Sequence, residues 1–315
     1  MTTKIMPISD LRRNAGEVLN AVREDGEVVY ITQHGRPAAV LVEYKHYEAM
    51  LAQLEDMADS VGADRARIAP FKRLAMQAIA KVANGQSGFG TLLDDTYGRD
   101  AMFDAAKLGL WVGRPLERPG SRPLQFEHTQ DVGSRLVDWP VDHCIKCLAF
   151  YHPDDPAELK AEQAQKLRTL YEAARKIGRE LLVEIIAGKH GSVTDDTVSR
   201  ALADLYALGI KPDWWKLEPQ ATGNAWGNIE KVIKTNDPYC RGIVLLGLDA
   251  PEEELARAFA TAAGHSAVKG FAVGRTIFSS VAESWLAGKI DDDKATSDMA
   301  ERFANLVNVW NKSHP

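Results

Sequence analysis

Three charged side chains stand inside apolar runs. Lys146 lies in Cys144-Ile145-Lys146-Cys147-Leu148-Ala149-Phe150, and Glu184 in Leu181-Leu182-Val183-Glu184-Ile185-Ile186-Ala187. Lys216 lies in Trp214-Trp215-Lys216-Leu217, between Pro212 and Pro219. Short apolar runs of this kind read as buried parallel strands. A buried ammonium is costly unless it is paired or sheds its proton. A lysine that sheds its proton near neutral pH is a nucleophilic amine, able to form a Schiff base with a carbonyl. On one strand alone, a lysine snorkelling from a strand end explains the pattern equally well. Three charges on successive strands favour chemistry, because strand side chains alternate and all three can point to one face, side by side. In such a cluster one lysine attacks a ketone, and the second lowers its pKa by like-charge repulsion. The glutamate moves protons during carbinolamine breakdown and C–C cleavage. The structural alternative is a buried ion network.

The elements that position these residues recur about every 30 residues, the size of a βα unit. Strands are expected at Gly90–Asp94, Leu108–Val112, Cys144–Phe150, Leu181–Ala187, Trp214–Leu217, Gly242–Gly247 and Gly270–Gly274. Helices are expected at Pro156–Ile177, Asp195–Leu208, Ala221–Lys234 and Pro251–Ala263, with a closing helix over residues 294–312. Seven parallel-type strands at this spacing suggest an α/β fold, a (β/α)8 barrel one strand short. A doubly wound open sheet is the alternative, although no G-x-G-x-x-G follows an early strand. The last strand runs into Gly274-Arg275-Thr276, and Gly247 ends the strand before it. In (β/α)8 enzymes the loops after the last two strands often hold a phosphate. Gly274 permits close backbone approach, and Arg275 matches a phosphate in charge and fork geometry.

Composition narrows the function classes. The chain has 315 residues, 45% of them hydrophobic, enough for one large barrel or a medium domain and a small one. A net charge of -6 argues against nucleic-acid binding through overall charge, while leaving room for a local basic patch. No run is apolar enough to span a bilayer and no signal-peptide pattern is present, so a cytoplasmic location is expected. Three cysteines do not make a disulfide framework. Cys144-x-x-Cys147 lacks the second pair of a zinc site and sits inside an apolar strand, so both read as small core residues.

Residues 1–52 have a different character. A helix is expected from Ile8 to Val22, with Ser9 as N-cap and Asp25-Gly26 as its stop. A hairpin follows, with strands Val28–Thr32 and Ala38–Glu43 around a turn at Gln33–Pro37, and then a helix from Tyr44 to Ala58. Ile8-Ser9-Asp10-Leu11-Arg12, Gly26-Glu27-Val28-Val29 and His34-Gly35-Arg36-Pro37-Ala38-Ala39-Val40-Leu41-Val42 together resemble the N-terminal module of the Phd/YefM antitoxins. The resemblance implies a dimer-forming α+β module that binds operator DNA, with Arg12, Arg13 and Arg36 as phosphate or base contacts. The plainer reading makes these arginines solvated surface charges. Antitoxins of this family carry a toxin-binding tail after the module, and here a different domain follows.

Residues 53–315 resemble the class I aldolase-like domain fused behind the kinase of bacterial myo-inositol catabolism. The match is carried by Gly113-Arg114-Pro115, Gly120-Ser121-Arg122-Pro123-Leu124, Trp139-Pro140, His143–Leu148 and Tyr151-His152-Pro153-Asp154-Asp155. It continues through Leu182–Ile186, Asp213–Pro219 and Val268–Thr276. The resemblance implies Lys216 as the Schiff-base lysine, Glu184 as the acid/base and Lys146 as its helper. The phosphate site expected from the strand ends is Gly247, Gly274, Arg275 and Thr276. The implied substrate is 6-phospho-5-dehydro-2-deoxygluconate, cleaved to dihydroxyacetone phosphate and malonate semialdehyde without metal or cofactor; a homo-oligomer is expected. The chain departs from the family at the first barrel strand, which should end in Asp-His-Arg. Read without gaps, the acid falls on Ala49 and the arginine on Leu51. A junction of two genes near residue 52 is therefore expected, with barrel strand 1 atypical or missing. Residues Ala39–Glu43 are a candidate replacement strand, and Glu43 and His46 are candidate substitutes for the acid.

Overall fold

In the computed structural model, which describes residues 3–14, 18, 28–33, 36–41, 54–127 and 131–314, the apolar runs become strands separated by amphipathic helices. The chain divides into two compact units, Met1–Arg65 and Ala66–Pro315.

The first unit contains β1 (Thr3–Pro7), α1 (Ile8–Arg13), β2 (Val28–Gln33), β3 (Arg36–Leu41) and α2 (Leu54–Ser60). Strands β2 and β3 pair antiparallel, from Val29↔Leu41 to Gln33↔Arg36, as a hairpin requires. Both strands extend into the expected turn. Pro37 lies in β3, which among the described residues pairs with β2 alone, an edge position of the kind where strand prolines are found. Strand β1, absent from the sequence reading, runs parallel to β2 with Thr3 opposite Val28. Its five residues lie at a chain terminus, and its pairing is long-range, so no local pattern marks it. Helix α1 starts at Ile8, directly after β1, so Ser9 falls in its first turn rather than at the cap, and its hydroxyl donates to Asp10. The rest of the expected helix (residues 15–17 and 19–22), the stop at Asp25-Gly26, His34-Gly35 and residues 42–53 lie outside the described residues. That last stretch includes Glu43, His46, Ala49 and Leu51.

The second unit runs α3 (Ile68–Ala83), β4 (Gly90–Leu92), α4 (Arg99–Lys107), β5 (Trp111–Pro115), α5 (Val132–Val137), β6 (Cys144–Ala149) and α6 (Ala157–Lys176). It continues with β7 (Leu181–Ile185), α7 (Thr197–Ala207), β8 (Trp214–Leu217), α8 (Gly223–Asn236), β9 (Gly242–Leu246), α9 (Glu252–Ala262) and β10 (Val268–Ala272). Helices α10 (Arg275–Leu286) and α11 (Asp292–Ser313) close it. All seven expected strands form. The second lies three residues later than expected, because Leu108 and Gly109 end α4, with Gly109 at φ +66°, the left-handed conformation glycine supplies at a helix stop.

The seven strands form one curled parallel sheet in the order β10-β9-β8-β7-β6-β5-β4. That order never reverses. A doubly wound sheet reverses at its switch point and places helices on both faces, so that alternative is excluded. Here one face is packed by helices. Ile145 and Cys147 of β6, Val183 and Ile185 of β7, Trp215 and Leu217 of β8, and Ile243 and Leu245 of β9 join α6, α7, α8 and α9 in one buried core. The intervening residues, Lys146, Glu184 and Lys216 among them, necessarily share the opposite face. Among the described residues each end strand, β4 and β10, has a single partner.

Candidate functional site

Strand register decides how the three charges meet. Glu184 on β7 pairs with Lys216 on β8, while Lys146 on β6 pairs with Leu182, two residues before Glu184. The charges are therefore staggered and not side by side, because neighbouring strands of a curled sheet are sheared against each other. The long Lys146 side chain spans the offset. Its Nζ lies 2.7 Å from Glu184 Oε2, and Lys216 Nζ donates to Glu184 Oε1 at 3.0 Å. One carboxylate thus lies between two amines.

The structure adds a fourth member, Glu117, which pairs with Lys146 Nζ through Oε1. It lies in the loop after β5, two residues beyond Pro115, which is opposite Lys146 in the ladder. In the sequence Glu117 stands between Leu116 and Arg118 and looks like a loop charge. The signal that could have found it is the period of two from Pro115. All four groups are buried: Glu117 is 6% exposed, Lys146 8%, Glu184 3% and Lys216 6%.

Burial disfavours every charge here, and pairing decides which survive. Burial would raise Glu184, but the two flanking amines overcome it and hold the carboxyl at about 2. Burial works against the Lys146 ammonium, yet Glu117 and Glu184 together push it above the ordinary lysine range. At Lys216 burial prevails over the pull of Glu184, Lys146 adds repulsion, and the amine is lowered. Glu117 is raised by burial in spite of Lys146. Two lysines on the strands flanking β7 are driven in opposite directions, Lys146 towards its charged form and Lys216 towards its neutral one. A neutral Lys216 amine is a nucleophile. Glu184 can accept and return a proton beside it.

The loop after β7 is tied to the residue two beyond Lys216. Glu218 Oε1 accepts from the backbone N–H of Ala187 at 2.8 Å and of Gly188 at 3.0 Å. A Cβ on Gly188 would lie 2.8 Å from Glu218 Oε2, so a side chain there would have to displace the carboxylate from this position. The next residue, Lys189, holds its Nζ 4.4 Å from the ring centre of Phe150, and burial together with the Arg275 charge lowers its pKa. Neither Glu218 nor Lys189 was singled out from the sequence, where both look like ordinary loop charges.

The residues read as a phosphate site lie at the ends of β9 and β10. Gly274 is the N-cap of α10, Arg275 Nη1 is 3.5 Å from Asp249 Oδ2, and the Thr276 hydroxyl donates to the Ala250 carbonyl at 2.8 Å. Gly247 is required by packing, since a Cβ there would meet Val273 Cγ2 at 2.8 Å. Leu248 and Asp249 next to it adopt positive φ, +51° and +63°. In the first unit Arg13 pairs with Asp10 at 2.9 Å along α1. The side chains of Arg12 and Arg36 lie outside what the structure describes. Cys144 and Cys147 are buried, with burial raising both thiols out of the reactive range.

Among the described residues no helix is long and apolar enough to cross a membrane. The chain is similar in structure to Cgl0159 of Corynebacterium glutamicum, with TM-score 0.49 and 19% identity over 74% of this chain and 76% of that one. It is also similar to a fructose-bisphosphate aldolase from Slackia heliotrinireducens, with TM-score 0.46 and 14% identity over 73% and 76%. In sequence it matches the Mycobacterium tuberculosis protein named "Putative antitoxin Rv0268c", 36% identical over 59 residues. That stretch is 19% of this chain and only about a third, 34%, of the relative's length. The pattern of one family runs through residues 31–314, nearly the whole chain, and the protein therefore belongs to DUF2090, described as an uncharacterized protein conserved in bacteria.

Proposed function

We propose that the protein is a Schiff-base aldolase of the class I type, built on a (β/α)8 barrel over residues 53–315. The observation that carries this reading is the buried Lys216 amine, pushed towards its neutral form 3.0 Å from a carboxylate that a second lysine keeps ionised. The substrate that fits is 6-phospho-5-dehydro-2-deoxygluconate, a ketose acid with one phosphate. Lys216 Nζ adds to its C5 ketone, and the resulting carbinolamine loses water to give an iminium. Removal of the C3 hydroxyl proton breaks the C3–C4 bond, the electron pair entering the iminium as an enamine. Malonate semialdehyde leaves. Protonation of the enamine and hydrolysis release dihydroxyacetone phosphate and restore the amine. Glu184 moves the protons, and Lys146 supplies fixed positive charge beside the developing oxyanion. Gly247, Gly274, Arg275 and Thr276 receive the phosphate.

The test is borohydride reduction in the presence of dihydroxyacetone phosphate, read by peptide mass spectrometry. The expected result is one adduct, on Lys216. An adduct on another lysine keeps the chemistry and overturns the assignment. A folded protein with no adduct removes the reading.

A second activity is favoured by one observation, the 36% identity to an antitoxin-named protein over 59 residues. On this reading residues 1–52 form a dimeric module that binds operator DNA through Arg12, Arg13 and Arg36. Binding should weaken steeply with salt. Arg12→Ala with Arg13→Ala should reduce the slope of log K against log salt by about 0.9 for each phosphate contact removed. An unchanged slope and affinity in the double variant rule this assignment out.

A further inference from the structure

Glu184 alone does not distinguish the two lysines that share it. Lys216 touches Oε1 at 3.0 Å and Lys146 touches Oε2 at 2.7 Å, so each amine has one oxygen of the same carboxylate. A proton placed between them would have no strong preference. The difference comes from Glu117, which contacts Lys146 only. Lys146 is thereby enclosed by two carboxylates and Lys216 by one. The other titratable group facing Lys146 among the described residues is Lys216 on β8; the Cys147 thiol, next in the strand, points to the helix-packed face. The remaining oxygen of Glu117, Oε2, is buried with no hydrogen-bond partner among the described residues. A buried carboxyl with one oxygen left unpartnered is costly.

We propose that Glu117 is a positioning residue that fixes the site's proton on Lys146, and so leaves Lys216 as the free amine. It does this by making the two halves of the lysine pair unequal. It acts through Lys146 and takes no bond-making part. This inference rests on the Schiff-base reading for its consequence, but the proton placement itself is measurable without any reaction.

The experiment uses the full chain with lysine labelled at 13Cε and 15Nζ, the two buried amines being assigned from Lys146→Arg and Lys216→Arg. In the wild type Lys146 should stay charged beyond the ordinary lysine value of about 10.4, in a titration carried from about pH 8 to about pH 12. In Glu117→Gln its midpoint should fall by about one pH unit or more, as loss of a contacting opposite charge requires. Glu117→Asp, which keeps the charge, should restore most of the wild-type behaviour. Unchanged Lys146 titration in Glu117→Gln overturns the proposal. If Glu117→Gln does not fold, the wild type decides: the Lys216 midpoint must lie below that of Lys146, and the reverse order overturns the proposal.

Borohydride trapping with dihydroxyacetone phosphate separates the two claims. Trapping on wild-type Lys216, with an alkaline limb that moves to lower pH in Glu117→Gln, supports both. Trapping in which the variant loses amplitude equally at every pH assigns Glu117 a merely structural role and overturns the inference. No trapping in the wild type, with the Lys146 shift observed, removes the aldolase reading while the proton placement stands.

Discussion

At the residue scale, burial and pairing are set against each other, and the balance differs for each member of the cluster. A lysine lowered by burial opposes folding wherever the unfolded chain would bind the proton, that is, below the ordinary lysine range. Lys216→Met should therefore leave stability unchanged or raise it, by up to ~2 kcal/mol, while abolishing trapping. Thermal unfolding and mass spectrometry on one variant test both halves. Glu184→Leu is the opposite case. It strips Lys146 and Lys216 of their shared partner and should cost about 3–5 kcal/mol, read by denaturant unfolding. Glu184 also sets an acid limit. Its carboxyl is held at about 2, below the ordinary value near 4.3. The stability it contributes is present above the ordinary carboxylate range and is lost as pH falls towards 2. Acid unfolding of Glu184→Gln should accordingly show a shallower loss over that window than the wild type.

At the scale of elements, the site depends on a strand end and the loop beside it. Glu218 lies one residue past the end of β8, two positions on from Lys216, and holds the start of the loop after β7 through two backbone N–H groups. Replacing it with alanine leaves buried donors unpaired and should cost roughly 1–3 kcal/mol. Hydrogen exchange should show Ala187 and Gly188 losing protection while the amides of β7 and β8 keep theirs. Protection lost across both strands would mean that Glu218 supports the sheet and not just the loop. Gly188→Ala should act in the same direction, since its methyl meets the Glu218 carboxylate.

At the scale of the molecule, the core that carries the charge cluster is built wholly from the second unit. It draws on strands β6 to β10 and on α5 to α9 and α11, and buries Trp215, Trp226, Phe259 and Leu306 together. A chain beginning at Ala66 should therefore fold with a cooperative transition and a near-UV spectrum from its buried tryptophans. A broad, non-cooperative transition would show that residues 1–65 contribute to that core. The single-partner strands β4 and β10 make association the expected liability of the shortened chain, with light scattering as the check.

The sequence alone determined what local pattern can carry. Apolar runs of four to seven residues at βα spacing specified all seven parallel strands, and the type of residue interrupting them specified Lys146, Glu184 and Lys216. The shared face also followed, because strand side chains alternate. What tertiary structure decided was everything that depends on register. The two-residue stagger of Lys146, the division of Glu184 between two amines, and the approach of Glu117 from a loop 29 positions before Lys146 in the chain arise from pairing between distant strands. The same holds for β1, whose partner is more than twenty residues away. The direction of each pKa belongs here as well. A lysine in an apolar run is either a charged partner or a free amine, and only the count of carboxylates around it separates the two.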